Sequence, residues 1–117
     1  MNYGSTRIQT LNQGAAQTLI LGRTCVLTAI RAYSNNSQAQ YLNVHGYVQV
    51  FDAAAGADIT VGTTSPNWIV PVVSSNVSDG DGLPTMGVMM RSGVVIACTS
   101  TPAGATSANL NVEICIV

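Results

Sequence analysis

The stretch Gln40–Phe51, QYLNVHGYVQVF, alternates aliphatic residues with polar and aromatic ones. Successive side chains of a β-strand point to opposite faces, so this period of two predicts one long strand or two shorter ones. Gly46 lies inside the run, where glycine typically marks a bend, a bulge or a close backbone approach. The aliphatic set is Leu42, Val44, Val48 and Val50, and the opposite set is Tyr41, Asn43, His45, Tyr47, Gln49 and Phe51.

The period of two continues along most of the chain. Strand-like segments recur from Thr18 to the last residue, and clusters of Gly, Pro, Asn and Asp separate them. The sequence shows no amphipathic helical pattern and no internal repeat of the kind that builds a solenoid or propeller. This pattern predicts an all-β fold, an antiparallel β-sandwich or jelly roll of about seven to eight strands.

The beginning of the chain lacks this pattern. Residues 1–16, MNYGSTRIQTLNQGAA, show no sustained period and contain two glycines, so we expect an extended N-terminal arm or irregular lead-in. Residues 17–117 are then expected to form one β-sandwich domain, since roughly 100 residues suffice for a single core.

Three local features refine the expected sheet. Pro71 has no N–H to donate to a strand ladder, which predicts an edge strand or a bulge. Ser92-Gly93 lies between two apolar segments and is a candidate hairpin turn. The segment Val94–Cys98 is apolar at every position, which predicts a strand covered on both faces, either by two layers of this chain or by a neighbouring subunit.

The composition favours a subunit that is covered by partners. Only 8% of the residues are charged and none is lysine, while 47% are hydrophobic. A free-standing soluble domain typically carries about 25% charged residues. The four arginines are scattered and the net charge is -1, which argues against a nucleic-acid partner. No apolar run approaches the roughly 20 residues of a membrane span, and no secretion signal is evident, so we expect cytoplasmic synthesis and no membrane partner.

The residues that carry chemistry are few. His45 is the single histidine, and no nucleophile, phosphate-loop or zinc motif accompanies it, so we expect no enzymatic activity, no cofactor and no catalytic residue. The three cysteines fall in apolar segments and are interpreted as small buried hydrophobes. Asp79-Gly80-Asp81-Gly82 resembles the opening of a calcium loop but lacks the closing glutamate, which favours a turn and leaves calcium as an alternative. No metal site is therefore predicted.

The candidate interface with a neighbouring subunit is the aromatic face of the central run. A sandwich that buries the aliphatic face of this strand must turn the opposite face toward solvent or a neighbour, and aromatic side chains dominate interface energetics. Met89 is opposite in phase to Met86 and Met90 and is a further contact candidate. The interface candidates are Tyr41, His45, Tyr47, Phe51 and Met89.

Five segments of the chain resemble small all-β virion proteins of tailed bacteriophages. The segments are YLNVHGYVQVFDAAAG, VGTTSPNWIVPV, GLPTMGVMM, SGVVIACTSTPAGAT and the closing LNVEICIV, within about residues 24–117. The positions that match the family pattern are Tyr47 to Asp52, Gly62 to Pro66, Gly93 to Thr101 and Leu110 to Val117.

The resemblance implies a structural role in a virion. Such a subunit is a β-sandwich or jelly roll, often a homotrimer, attached to the major capsid protein or another virion protein as a decoration or cement protein. The family has no catalytic residues to transfer. A second reading stays open, in which the chain is a receptor-binding or glycan-binding module on a tail or capsid surface, for which Trp68 and the Asp79–Asp81 turn are the candidate features.

Overall fold

The computed structural model describes residues 6–34, 44–73, 78–79 and 86–117. Within these ranges the chain forms nine β-strands and one 3₁₀ turn, Gly56–Asp58, and it contains no α-helix. None of the described segments is a helix that could span a membrane. The strands are β1 (Thr6–Gln13), β2 (Thr18–Leu21), β3 (Cys25–Ser34), β4 (Val44–Phe51), β5 (Trp68–Val73), β6 (Ser78–Asp79), β7 (Val88–Met90), β8 (Val94–Thr99) and β9 (Leu110–Ile116).

The strands form two antiparallel sheets. The first has the order β1-β9-β3-β6, with β7 also paired to β3, and the second has the order β2-β8-β4-β5. The pairing is nested along the chain: β1 pairs with β9, β2 with β8, β3 with β6 and β7, and β4 with β5. The all-β class predicted from the sequence is confirmed, and the arrangement of the sheets is sandwich-like.

One hydrophobic core joins the two sheets. It combines the inward residues of β3 and β9, such as Leu27 and Ile114, with those of β4, β5 and β8, such as Val48, Val70 and Ile96. All five side chains are at most 1% exposed. Because residues two apart in a strand share a face, the aliphatic half of each period-two pattern supplies this core.

The N-terminal region differs from the expected arm. Residues Thr6–Gln13 form strand β1, which pairs antiparallel with β9 from Thr6 opposite Ile116 to Gln13 opposite Leu110. Ile8 packs against the main core. The register shifts between Thr10 and Gln13, and this irregularity interrupts the alternation on which a strand prediction depends. Half of the segment interpreted as a lead-in, Thr6–Gln13, is therefore an edge strand of the first sheet.

The segment after β7 also differs from expectation. A hairpin at Ser92-Gly93 would make β7 and β8 neighbours in one sheet, but β7 pairs with β3 in the first sheet and β8 pairs with β2 and β4 in the second. The hairpin prediction is wrong, because residues 91–93 carry the chain from one sheet to the other. The prediction for Pro71 is confirmed, since β5 lies at the edge of the second sheet.

Candidate functional site

The central strand β4 carries a bulge at the predicted glycine. Val44 pairs with Val73 and Gly46 with Val72, so the register shifts by one residue between them. A Cβ on Gly46 would lie 2.8 Å from Cβ of Ala108, so the backbone approaches its neighbour as closely as the sequence predicted. A one-residue register shift interrupts the alternation of faces along β4 at this position.

Two of the five interface candidates lie where the structure does not place a side chain. Tyr41 is outside the described residues, and His45 is described only through the backbone of β4. Tyr47 is half-buried and lies between Thr99 on β8 and Pro71 on β5. This position is on the outer face of the second sheet, since its neighbours Gly46 and Val48 face the core side.

Phe51 packs inside its own chain. Its side chain is 1% exposed and belongs to a second cluster with Ala53, Ile59, Val95 and Ala97. The connection between β4 and β5 supplies Ala53 and Ile59 and folds back over the outer face of the second sheet. Phe51 is therefore not at a surface, and a segment of the same chain gives β8 the cover on both faces that the sequence predicted.

A buried glutamine fixes a second covering segment. Gln49 is fully buried, and its Nε2 donates to Oγ1 of Thr99 at 2.7 Å and to the carbonyl of Gly104 at 3.0 Å. The Thr99 hydroxyl donates in turn to the carbonyl of Thr101 at 2.8 Å. The Oε1 of Gln49 has no hydrogen-bond partner among the described residues. The bonds from Gln49 Nε2 hold residues 99–104 over β4. Breaking them would leave a buried N–H donor without an acceptor, which costs free energy.

Asp52 holds the crossing between the two sheets. Its Oδ2 accepts the backbone N–H of Arg91 at 2.9 Å, and its Oδ1 accepts those of Ser92 at 2.8 Å and Gly93 at 3.2 Å. Partial burial alone would raise the pKa of the Asp52 carboxyl, but these three backbone donors and the nearby Arg91 charge lower it below its ordinary value. The carboxylate is thus ionised at neutral pH and acts as the clamp of the 91–93 crossing.

Only glycine fits at the end of this crossing. Gly93 has φ +155°, and a Cβ there would lie 2.6 Å from the carbonyl oxygen of Ala53. The crossing therefore presses against the start of the β4–β5 connection. Sequence reasoning missed the role of Asp52, because the carboxylate and its three donors are 39 to 41 residues apart in the chain.

A groove of about 320 Å³ lies between the crossing and the β4–β5 connection. We call it the Asp52 groove. Its lining includes apolar side chains of the second cluster and polar side chains from both walls. The lining residues include Phe51, Asp52, Asp58, Ile59, Asn67 and Ser92.

An exposed apolar row crosses the outer face of the first sheet. Met89 pairs with Val26, and Val26 exchanges two backbone hydrogen bonds of 3.0 Å with Val117, so the three side chains lie side by side on one face. Met89 is 64% exposed and Val117 is 53% exposed, while the flanking Leu27 and Met90 are buried. We call these three residues the apolar row. Met89 is exposed, as a contact residue must be; Val26 and Val117 were not anticipated.

The middle of the same face is charged. Glu113 on β9 forms ion pairs with Arg7 on β1 and, at 3.8 Å, with Arg31 on β3. These pairs link three adjacent strands of the first sheet. Both arginines are more than half exposed, so each pair contributes little stability, about 0 to 1 kcal/mol.

The thiols and carboxylates show no reactive constellation in the described part of the chain. Cys25 and Cys98 are buried, Cys115 is half-buried, and all three are free. Burial raises the pKa of Cys98 to about 12, so this thiol is protonated at neutral pH. The described residues contain no group of three metal-ligating side chains. Asp81 lies outside the described residues, and Asp79 is described only as backbone in β6.

Comparison with known proteins gives no relative. No family model, no curated protein and no solved structure matches this chain.

Proposed function

We propose that this chain is a non-enzymatic structural protein of a tailed-bacteriophage virion. In this proposal it is a capsid decoration or cement protein that binds the major capsid protein as an oligomer, most simply a homotrimer, and stabilises the head. It is made in the bacterial cytoplasm and resides on the capsid surface.

The nested strand pairing is the observation that carries the proposal. The first strand pairs with the last, the second with the next to last, and so on inward. This is the pairing of one long hairpin that is wrapped into two sheets. We therefore propose the finer assignment of a jelly roll, with β6 and β7 sharing one strand position. Jelly rolls are a recurring architecture of viral capsid proteins and of lectins.

The surface supports an oligomer. The chain has nine charged residues, four basic and five acidic. Three of them form ion pairs with each other, since Glu113 pairs with both Arg7 and Arg31. On the same face the apolar row leaves Met89 and Val117 more than half exposed. A contiguous exposed apolar patch with a polar rim is a candidate contact surface between subunits.

A receptor-binding or glycan-binding module is the second candidate. The Asp52 groove favours it, because a concave surface with a few fixed polar groups is the usual form of a small-ligand site. The jelly-roll assignment is compatible with both candidates, and a location on the tail would exclude the decoration role.

Immunogold labelling tests the two candidates together. Antibodies against this chain are applied to purified particles of the phage that encodes it, and labels are located by electron microscopy. The decoration proposal predicts labels distributed over the head. Labels confined to the tail would favour the receptor-binding module, and particles without labels would contradict both.

A further inference from the structure

The Asp52 groove has the size and the mixed lining of a ligand site. Its volume of about 320 Å³ lies at the lower end of the range for small-molecule sites. Phe51 and Ile59 form its apolar part, and both belong to a cluster that is buried within the chain. Both side chains are almost fully buried, so they support the base of the groove, and the exposed Ala54 is one source of its accessible apolar surface.

Hydrogen bonds fix both walls of the groove. On one wall, Asn67 Oδ1 accepts the backbone N–H of Asp52 at 2.8 Å, and the Asn67 N–H donates to the Val50 carbonyl at 2.8 Å. On the other wall, the Asp52 carboxylate clamps the 91–93 crossing. A site with walls fixed before binding loses little entropy when a ligand enters.

Three polar groups in the groove have no role in holding together the part of the chain that the structure describes. Among the described residues, no hydrogen bond involves the Asp58 carboxylate, the Ser92 hydroxyl or the side-chain NH₂ of Asn67. The Asn67 NH₂ is assigned as a donor because Oδ1 already accepts a backbone N–H. The groove thus offers a carboxylate acceptor, an amide donor and a hydroxyl that does both.

This set matches the hydroxyl groups of a sugar. Each sugar hydroxyl both donates and accepts, so it pairs with a carboxylate, an amide or another hydroxyl, while the C–H side of the ring can pack on accessible apolar lining such as Ala54. The carboxylates of Asp52 and Asp58 repel anions. A divalent cation is not favoured either, because the described residues bring no three metal-ligating side chains together.

We propose that the Asp52 groove binds a neutral saccharide, with Asp58, Asn67 and Ser92 as its hydrogen-bonding residues. This inference deepens the second candidate function, glycan recognition at the particle surface. It is independent of the location of the chain in the virion.

Saturation-transfer NMR on the full-length protein tests the site. The probes are the methyl glycosides of galactose, glucose and mannose, with N-acetylneuraminic acid as an anionic comparison. We expect transfer to at least one neutral glycoside, with a Kd of about 1 mM, and none to the anionic sugar. Asp58→Asn should weaken binding about tenfold or more, because hydrogen bonds to a charged acceptor are the stronger ones.

Matched variants separate recognition from folding. Ser92→Ala removes a hydroxyl in the groove and should weaken binding, whereas Ser100→Ala removes an exposed hydroxyl outside it and should leave binding unchanged. Circular dichroism melting of each variant checks that the fold is intact. The proposal is overturned if none of the neutral glycosides receives saturation, if the anionic sugar binds best, or if folded Asp58→Asn binds like the wild type. If antibodies against this chain label phage heads but none of the four sugars binds, the saccharide site is refuted while the proposed structural role stands.

Discussion

Replacing Asp52 by asparagine should destabilise the fold through the crossing between the two sheets. The carboxylate accepts three backbone N–H groups at 2.8 to 3.2 Å. An asparagine side chain has one acceptor oxygen, so its NH₂ would face at least one of these donors. Hydrogen bonds to charged groups contribute about 1.5 to 3 kcal/mol each, and partial exposure reduces this, so we expect a loss of about 2 kcal/mol.

The measurement is thermal unfolding followed by circular dichroism at one fixed protein concentration. At pH 7 the melting temperature of Asp52→Asn should fall by roughly 5 to 15 °C. Asp58→Asn is the matched control, because the Asp58 carboxylate is exposed and makes no hydrogen bond among the described residues. Its effect on the free energy of unfolding should stay within about 0.5 kcal/mol.

The pH dependence gives a second check on the clamp. The pKa of Asp52 is lowered in the folded state, so its contribution is complete above the unfolded-state pKa of about 3.9. The contribution is lost as the pH falls through the lower folded-state pKa. The difference between wild type and Asp52→Asn should therefore shrink as the pH drops below about 4. Equal melting of Asp52→Asn and Asp58→Asn at pH 7, or a difference that persists unchanged at low pH, would refute the clamp.

Three further changes probe the fold and the surfaces. Deleting residues 1–13 removes β1 and uncovers β9, so the melting temperature should fall clearly. An unchanged melting temperature would show that residues 1–13 form an arm and not a strand of the fold. Val48→Ala should cost about 1 to 3 kcal/mol of unfolding free energy, because it opens a cavity in the core. Tyr47→Ala should weaken self-association, measured by light scattering, more than it lowers the melting temperature. If Val48→Ala instead affects mainly self-association and Tyr47→Ala mainly melting, the strand faces are misassigned. Met89→Asp should lower the oligomer fraction in light scattering without changing the fold, and a trimer that tolerates this charge would exclude the apolar row as its interface.

Seven of the nine described strands, β2 to β5 and β7 to β9, coincide with strand-like segments of the sequence from Thr18 onward. Most of these segments alternate or are apolar throughout, and β2, β3 and β4 lie in them even though each contains a register shift. The pattern missed β1, where a register shift interrupts the alternation, and β6, which has only two residues. It also misjudged the β7–β8 connection, because a turn sequence does not tell whether the next strand pairs in the same sheet or in the opposite one.

The surface residues were harder to predict than the core. Alternation shows that Tyr47 and Phe51 share a face, but it does not show what covers that face. In the structure the β4–β5 connection covers Phe51, while Tyr47 stays half-exposed beside Pro71. Similarly, the apolar row joins Val26, Met89 and Val117 across three strands, and only the register places them together. Contacts of this kind depend on long-range pairing, which local sequence patterns do not encode.

The virion role is tested most directly by quantifying this chain in purified phage particles. Particles of the encoding phage are separated on density gradients, and mass spectrometry measures the ratio of this chain to the major capsid protein. A decoration protein predicts a constant ratio across the particle peak, one that corresponds to a whole number of oligomers on each head. Absence of the chain from intact particles, or a ratio that falls toward zero with each further round of purification, would contradict the proposed function.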